Sequence, residues 1–250
     1  MTFYNIIKFD EIASTNDYMV SHLSSLPHKT CVIANKQSAG RGMGTNLWFS
    51  RDYIDLTCSI LYHIPYTMNL QIAPLFFSLA VLQTYSYFNI QVKTKWFNDI
   101  YCHQQFTGSL TTDFEDLLSF KQFGDYLKIS GLLVNIKNLD GNQYMVVGVG
   151  MNNIMGVDTA QILQQLLLAC DHSYCQLLQY QKPYPHHLVI KQYLRHCLHY
   201  RQTVKIKNYQ DQQCYIGQHF NISNNGAIIL KIANQKLIEI AHGQILAIDL

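Results

Sequence analysis

Three cations stand in short motifs at the ends of apolar runs: Arg41 in QSAGRG (37–42), Lys95 in KWFND (95–99) and Lys128 in KISG (128–131). Strand ends give such groups a rigid frame. Fixed cations of this kind suit a reaction in which two anions must meet, such as a carboxylate attacking a nucleotide phosphate. Their mutual repulsion has to be cancelled by charges positioned in advance, with a metal ion's help. Asp99 is the candidate magnesium ligand. Around Arg41, the glycines Gly40, Gly42 and Gly44 alternate with other residues, Met43 among them, and Trp48 closes the run. Glycines let a ligand approach the backbone closely, and the indole offers a face on which a base can stack. Neither the Walker pattern nor the Rossmann fingerprint fits, because GRGMGTN lacks GK[ST] and spaces its glycines differently.

The elements that must hold these motifs can be read from periodicity. Residues 2–9, 31–36, 53–63 and 91–96 alternate or run apolar as strands. STND (14–17) supplies hydroxyl caps before a short helix. Residues 69–88 predict a buried amphipathic helix, too often interrupted by polar residues to span a membrane. YLKISGLLVNI and QYMVVGVGMNNI predict two strands joined as a hairpin by NLDGN. Between KWFNDIY and KISG, residues 103–125 are polar at both ends and read as an insertion or lid. Within it FTGSL (106–110) is a decoy for the lysine strand, since it lacks a lysine. Helical patterns follow at 158–170 and 186–199. From 203 onward, five short alternating strands suggest a small SH3-like barrel. The expected architecture is α+β: a mixed, largely antiparallel sheet flanked by helices over 1–200, and a small C-terminal barrel over 201–250.

Composition narrows the classes. Of 250 residues, 48% are hydrophobic and 14% charged, which supports a sizeable core and argues against disorder. A net charge of +2 leaves no electrostatic footprint for DNA. The seven cysteines form no CxxC pair, and CDHSYC (170–175) offers no second pair of ligands for zinc, so buried free thiols are expected. Such thiols suit a reducing cytoplasm. The N-terminus, MTFYNIIKFD, lacks a basic start followed by an apolar block.

In order, STND, QSAGRGMGTNLWFS, KWFNDIY, KISGLLVNI and VVGVGMNN resemble the successive motifs of biotin–protein ligases, whose forms are roughly STN, Q-[TS]-x-G-[RK]-G-R-x-x-x-x-W, KWPNDIY, K-[IL]-x-G-[IV]-L-V and G-x-G-x-N. The resemblance spans about residues 3 to 155. It implies activation of biotin by ATP and Mg2+ to biotinyl-5′-AMP, followed by transfer to one lysine of a biotin carboxyl carrier domain. It further implies a biotin site of Ser14, Thr15, Asn16, Gln37, Gly40, Arg41, Lys128 and Gly131. Gly42, Met43, Gly44, Trp48, Lys95, Asn98 and Asn152 would serve ATP and the adenylate, while Lys128 and Arg41 would act in catalysis. The glycine loop would close over the intermediate and exclude water from it.

Three departures stand out. Met43 replaces a usual arginine, Phe97 replaces a usual proline, and the 103–125 stretch is longer than the usual turn. Because the chain begins almost at the first strand of the motif region and its charge is near neutral, the DNA-binding domain that some members carry is not expected. No membrane partner is expected either, and a homodimer is compatible with the resemblance. A lipoate–protein ligase-like acyl transferase is the alternative enzyme. A biotin- or carrier-binding protein with impaired catalysis is the alternative of another class.

Overall fold

A computed structural model of the chain describes residues 3–65, 68–107, 121–179 and 187–248. Its first part is an eight-stranded sheet. The strands are β1 (Asn5–Ile12), β2 (Thr30–Gln37), β3 (Leu56–Ile64), β4 (Val92–Lys95), β5 (Asp99–His103), β6 (Gln122–Phe123), β7 (Tyr126–Leu139) and β8 (Asn142–Met151). The order is β1-β2-β3-β8-β7-β5-β4, with β6 paired to β7. Only β1 and β2 run parallel; every other ladder of this sheet is antiparallel. The hairpin expected at NLDGN joins β7 to β8, with Asp140 and Gly141 both at positive φ in its turn.

Side-chain alternation gives the sheet two different faces. Cys31, Ile60, Met145 and Val147 point into the main core, together with the helices α2 (Ala73–Tyr87) and α4 (Thr159–Gln179). Val32, Leu61, Tyr144 and Val146 point the other way, under Met19 and Leu23 of the segment carrying α1 (Thr15–Ser21). The expectation for α2 needs correction: it is buried but not amphipathic, with apolar residues covered on nearly every side. The sheet covers one side of it and α4 another, which removes any need for a polar stripe. Among the described residues, no helix is long and apolar enough to cross a membrane.

The stretch expected as an insertion begins at the end of β5, continues through the short helix α3 (Gln104–Thr107) and returns at β6. Its centre, 108–120, lies outside the described residues, and so does most of the FTGSL decoy. Phe97, where the family form has proline, packs its ring on the main core and edge-on to Trp96, 5.2 Å between centroids. Its carbonyl accepts from Ser78 Oγ at 3.3 Å.

After α5 (His187–Arg195) come β9 (Thr203–Asn208), β10 (Cys214–Ile222), β11 (Ile228–Lys231), β12 (Leu237–Ile240) and β13 (Gly243–Ile248), paired in the order β12-β11-β10-β9-β13. This sheet is compatible with the small SH3-like barrel of the sequence reading, although among the described residues no ladder joins β12 to β13 to close it. Yet only Ala241 and His242 separate these two edge strands in the chain. The three residue steps from Ile240 to Gly243 reach about 10 Å, far less than the roughly 19 Å between the edge strands of a flat five-stranded sheet. The sheet is therefore rolled, with an unpaired seam.

Candidate active site

Ladder partners share a face, and one row across the sheet carries most of the site. It runs Ala34, Thr57, Gly150, Gly131, Asp99, Lys95 from β2 to β4. The row beside it holds Val32, Ser59, Gly148 and Leu133. Where Val146 and Leu61 fill this face beneath α1, Gly148 and Gly150 leave it open. A cavity of about 300 Å3 occupies the opening.

Trp48 lies on this glycine floor. A Cβ added at Gly150 would fall inside the indole, and one at Gly131 would stand 3.0 Å from it. The loop reaches this position as a tight turn: Gly42 N donates to Asn46 O at 2.8 Å and Trp48 N donates to Gly40 O at 2.9 Å. Gly40 is required by close approach, since a Cβ there would meet the Trp48 carbonyl at 2.7 Å; Gly44 has a φ of 65°. Gly42 and Met43 line the cavity. Arg41 also lines it, but its guanidinium turns to Asp17, with Nε 2.8 Å from Oδ2, and is half exposed. The loop end remains polar inside: Trp48 Nε1 is buried with no hydrogen-bond partner.

Lys128 reaches the cavity because β7 is irregular. The ladder to β5 shifts between Ile100 and Tyr101, which pair with Ser130 and Lys128, so Ile129 is an extra residue. A bulge of this kind re-aims the side chains beside it. Its carbonyl is satisfied from two directions, by Asn152 N at 2.8 Å and by the buried Tyr85 hydroxyl at 3.0 Å. Lys128 Nζ then lies 2.6 Å from Asp99 Oδ1 and 5.5 Å from the centre of the Trp48 ring.

Lys95 is nearly inaccessible. Its Nζ donates to Ile245 O of β13 at 3.0 Å and lies 4.3 Å over the Phe123 ring. Burial pushes its pKa down to about 8; Asp99 pulls it back up, while Lys121 and Lys128 push it further down.

At the opposite end, Ser14 caps α1 by accepting from Asp17 N at 3.2 Å. Gln37 Oε1 accepts from Thr15 N at 2.8 Å and from Thr15 Oγ1 at 3.1 Å, and the Thr15 hydroxyl is 3.0 Å from that of Ser59. Asn16 Oδ1 accepts from Asn135 Nδ2 at 2.7 Å, whereas Asn16 Nδ2 is buried at the cavity without a partner. Two expected residues hold the frame: Asn98 Nδ2 donates to Leu132 O at 2.7 Å, and Asn152 Nδ2 donates to Asp55 Oδ2 at 2.8 Å. All sixteen sequence-derived residues except Gly40 and Gly44 line the one cavity.

Several residues were missed. Buried Asp55 accepts from the Arg51 guanidinium, from Asn152 Nδ2 and from Asn153 N, tying the end of the loop segment to the end of β8. Its only signal was a carboxylate directly before an apolar strand. Tyr209, Gly243, Gln244 and Ile245 bring the rolled sheet to the cavity wall, with no chemical pattern in sequence to announce it.

The sequence matches the Biotin/lipoate A/B protein ligase family over residues 8–152. The chain belongs to that family. Ligases of this family to which it is similar include the biotin–protein ligase of Schizosaccharomyces pombe, 31% identical over 131 residues, and that of Homo sapiens, 30% identical over 134 residues. Each alignment covers 48% of this chain, but only 19% and 15% of those relatives, so the chain spans less than a fifth of their length. In fold it is similar to the biotin protein ligase from Aquifex aeolicus solved in complex with biotin and ATP. There the TM-score is 0.72 at 20% identity, covering 98% of both chains.

Proposed function

We propose that this member of the family is an ATP-dependent biotin–protein ligase. The observation that carries the reading is the pair of unlike ends in one cavity. One end presents Asn16 Nδ2, a buried donor without a partner, beside the Thr15, Gln37 and Ser59 network. The other presents Lys128, Asp99 and Lys95. A cyclic urea needs donors and acceptors together, while a carboxylate meeting a triphosphate needs cations. A lipoyl or octanoyl chain has no group that would require the Asn16 end.

In the first step the biotin carboxylate attacks the α-phosphorus of ATP, and pyrophosphate leaves. Lys128 is the cation for the two anions: its ammonium exchanges Asp99 for the carboxylate and the bridging phosphate oxygen. Lys95, on the far side of Asp99, faces the phosphates, and Trp48 offers its ring to the adenine. Gly131 and Gly150 keep the backbone low enough for the adenylate to lie flat. In the second step the deprotonated acceptor lysine of a biotin carboxyl carrier domain attacks the acyl carbon, and AMP leaves with the bonding pair. No covalent bond to the protein forms. That lysine must shed its proton first, so transfer quickens as pH rises toward about 10.4.

Magnesium supplies charge neutralisation on the phosphates. Among the described residues Asp99 is the one carboxylate lining the cavity, and Lys128 already pairs with it. This donor set fits an ion that arrives on ATP and meets one carboxylate, as Mg2+ commonly does, rather than an ion held by the protein alone.

The test incubates the chain with biotin, MgATP and a biotin carboxyl carrier domain and weighs the carrier. One biotinyl addition, lost in Lys128→Ala and reduced in Asn16→Ala through a higher KM for biotin, is expected. No addition under conditions where a known ligase succeeds would overturn the reading.

A further inference from the structure

Outside the cavity, Cys197, His199 and His219 meet where the turn after α5, bridged at Cys197 to Thr94, packs against β10. Their ligand-capable atoms all lie within 4.8 Å of one another, and all three residues are buried. Cys197 Sγ is 3.3 Å from His199 Nε2, and the two imidazole centroids are 4.8 Å apart. The backbone pins each side of the cluster. Thr94 N donates to His196 O at 2.8 Å, Leu198 N donates to Thr94 O at 2.9 Å, and His219 N donates to Gln202 O at 2.9 Å.

The polar atoms of this cluster are not satisfied. His219 is fully buried, and neither of its ring nitrogens has a hydrogen-bond partner of normal geometry; the same holds for His199 Nδ1 and for Thr94 Oγ1 beside Cys197. Leaving such groups unpaired in the interior is unfavourable. Several in one spot call for a ligand. A thiol and two imidazoles, with no carboxylate among them, suit a borderline-soft cation and not Mg2+ or Ca2+.

We propose that Cys197, His199 and His219 form a binding site for one divalent transition-metal ion of the zinc type, set between the two sheets. With metal–nitrogen bonds of about 2.0 Å and a metal–sulfur bond of about 2.3 Å, tetrahedral ligand atoms lie about 3.3–3.6 Å apart. The sulfur and His199 Nε2 already stand at that separation. The widest gap must close by about 1 Å, within reach of a side-chain rotation. A water fills the fourth position. Binding releases the thiol proton to solvent and leaves thiolate, two neutral imidazoles and the ion with a net charge of about +1.

The site is wired to the cavity through one hydrogen bond. Trp96 N donates to His199 Nε2 at 2.9 Å. An ion on Nε2 takes that lone pair; an ion on Nδ1 moves the ring proton to Nε2. Either way the Trp96 amide loses its acceptor. Trp96 is flanked by Lys95 and followed by Asn98 and Asp99, so metal loading opposes the present setting of that segment. This coupling, unlike the site itself, rests on the ligase reading. It predicts that the loaded chain binds ATP several-fold more weakly, so that pyrophosphate release slows at subsaturating ATP, and, by reciprocity, that ATP weakens the ion's affinity.

Co2+ alone is titrated into the full chain carrying Cys175→Ser and Cys214→Ser, which removes the two exposed thiols. One Co2+ per chain by native mass is expected, with a thiolate-to-cobalt charge-transfer band. The band disappears on adding Cys197→Ser, and affinity falls about tenfold or more with His219→Gln. No thiolate band, or one that survives Cys197→Ser, overturns the site. Zinc-edge absorption on the unsubstituted chain needs no variant: one sulfur and two imidazoles support it, and a shell of oxygens overturns it. Pyrophosphate release with and without Zn2+, against Cys197→Ser as control, reads the coupling. Equal inhibition of both chains overturns it and leaves the cobalt result standing.

Discussion

The hydroxyl of Tyr85 stands 3.0 Å from the carbonyl oxygen of Ile129, joining the last turn of α2 to the bulge that turns Lys128 into the cavity. The same hydroxyl is 3.1 Å from Asn152 O. A tyrosine buried in a helix thus sets the aim of a lysine on a strand it does not otherwise touch through charge.

Tyr85→Phe removes that fixation without opening a cavity. Stability falls by about 1–2 kcal/mol, from carbonyls left with fewer partners. Adenylation slows several-fold while the KM for biotin holds, because the Asn16 end is untouched. Urea denaturation and pyrophosphate release check both halves; a loss of stability with an unchanged rate would show that the bulge keeps its shape unaided.

The glycine floor ranks two substitutions. Gly150→Ala places a methyl inside the Trp48 ring, so the indole must leave; Gly131→Ala asks it to yield by a few tenths of an ångström. Turnover in Gly150→Ala falls at least about tenfold, a larger loss than in Gly131→Ala, and Trp48 fluorescence moves to the emission of an exposed indole. Trp96, the second tryptophan, is 4% exposed and supplies the constant background. Equal effects of the two alanines would contradict the packing order.

Under the proposed function, Lys95 is expected to make ATP use sensitive to pH. Its pKa of about 8, against an ordinary 10.5, means that the free protein loses this cation as pH climbs past about 8. kcat/KM for ATP therefore declines above that pH, and Lys95→Arg, whose charge persists, flattens the decline. Stability moves oppositely. Between about pH 8 and 10.5 the unfolded chain keeps a proton that the folded chain has released, so the Lys95 contribution favours folding increasingly as pH rises. A flat kcat/KM profile would remove Lys95 from the phosphate site.

Met43 lines the cavity where an arginine would offer charge to phosphate. Biotinyl-5′-AMP is expected to escape into solution faster than it would past a cation, and Met43→Arg to retain it. Free adenylate measured by chromatography during turnover decides the matter; none from the parent chain, and no change in the variant, would count against a role for this position.

Legibility followed the range of the forces involved. The β7–β8 hairpin could be read because alternation and a turn at NLDGN are local. The motifs converged because each sits at a strand end, and one sheet row brings Gly150, Gly131, Asp99 and Lys95 together. The bulge could not be read: Tyr85, which donates to its carbonyl, is 44 residues from Ile129 in the chain. Asp55 could not be singled out because its partners Asn152 and Asn153 lie about a hundred residues away. Helix α2 reads as amphipathic from polar interruptions such as Ser78 and Gln83, yet Ser78 is buried and bonded to a backbone carbonyl, as is Thr84.

The bond from Lys95 to the Ile245 carbonyl bears on the order in which the protein is made. A ribosome produces the cations and the glycine floor long before residues 243–245. Until that late strand emerges and rolls against the sheet, Lys95 has no acceptor there and the cavity has no wall beside it. A nascent chain stalled at residue 240 would carry every motif named in the sequence and still hold an unfinished site, so activity should appear late in synthesis and abruptly.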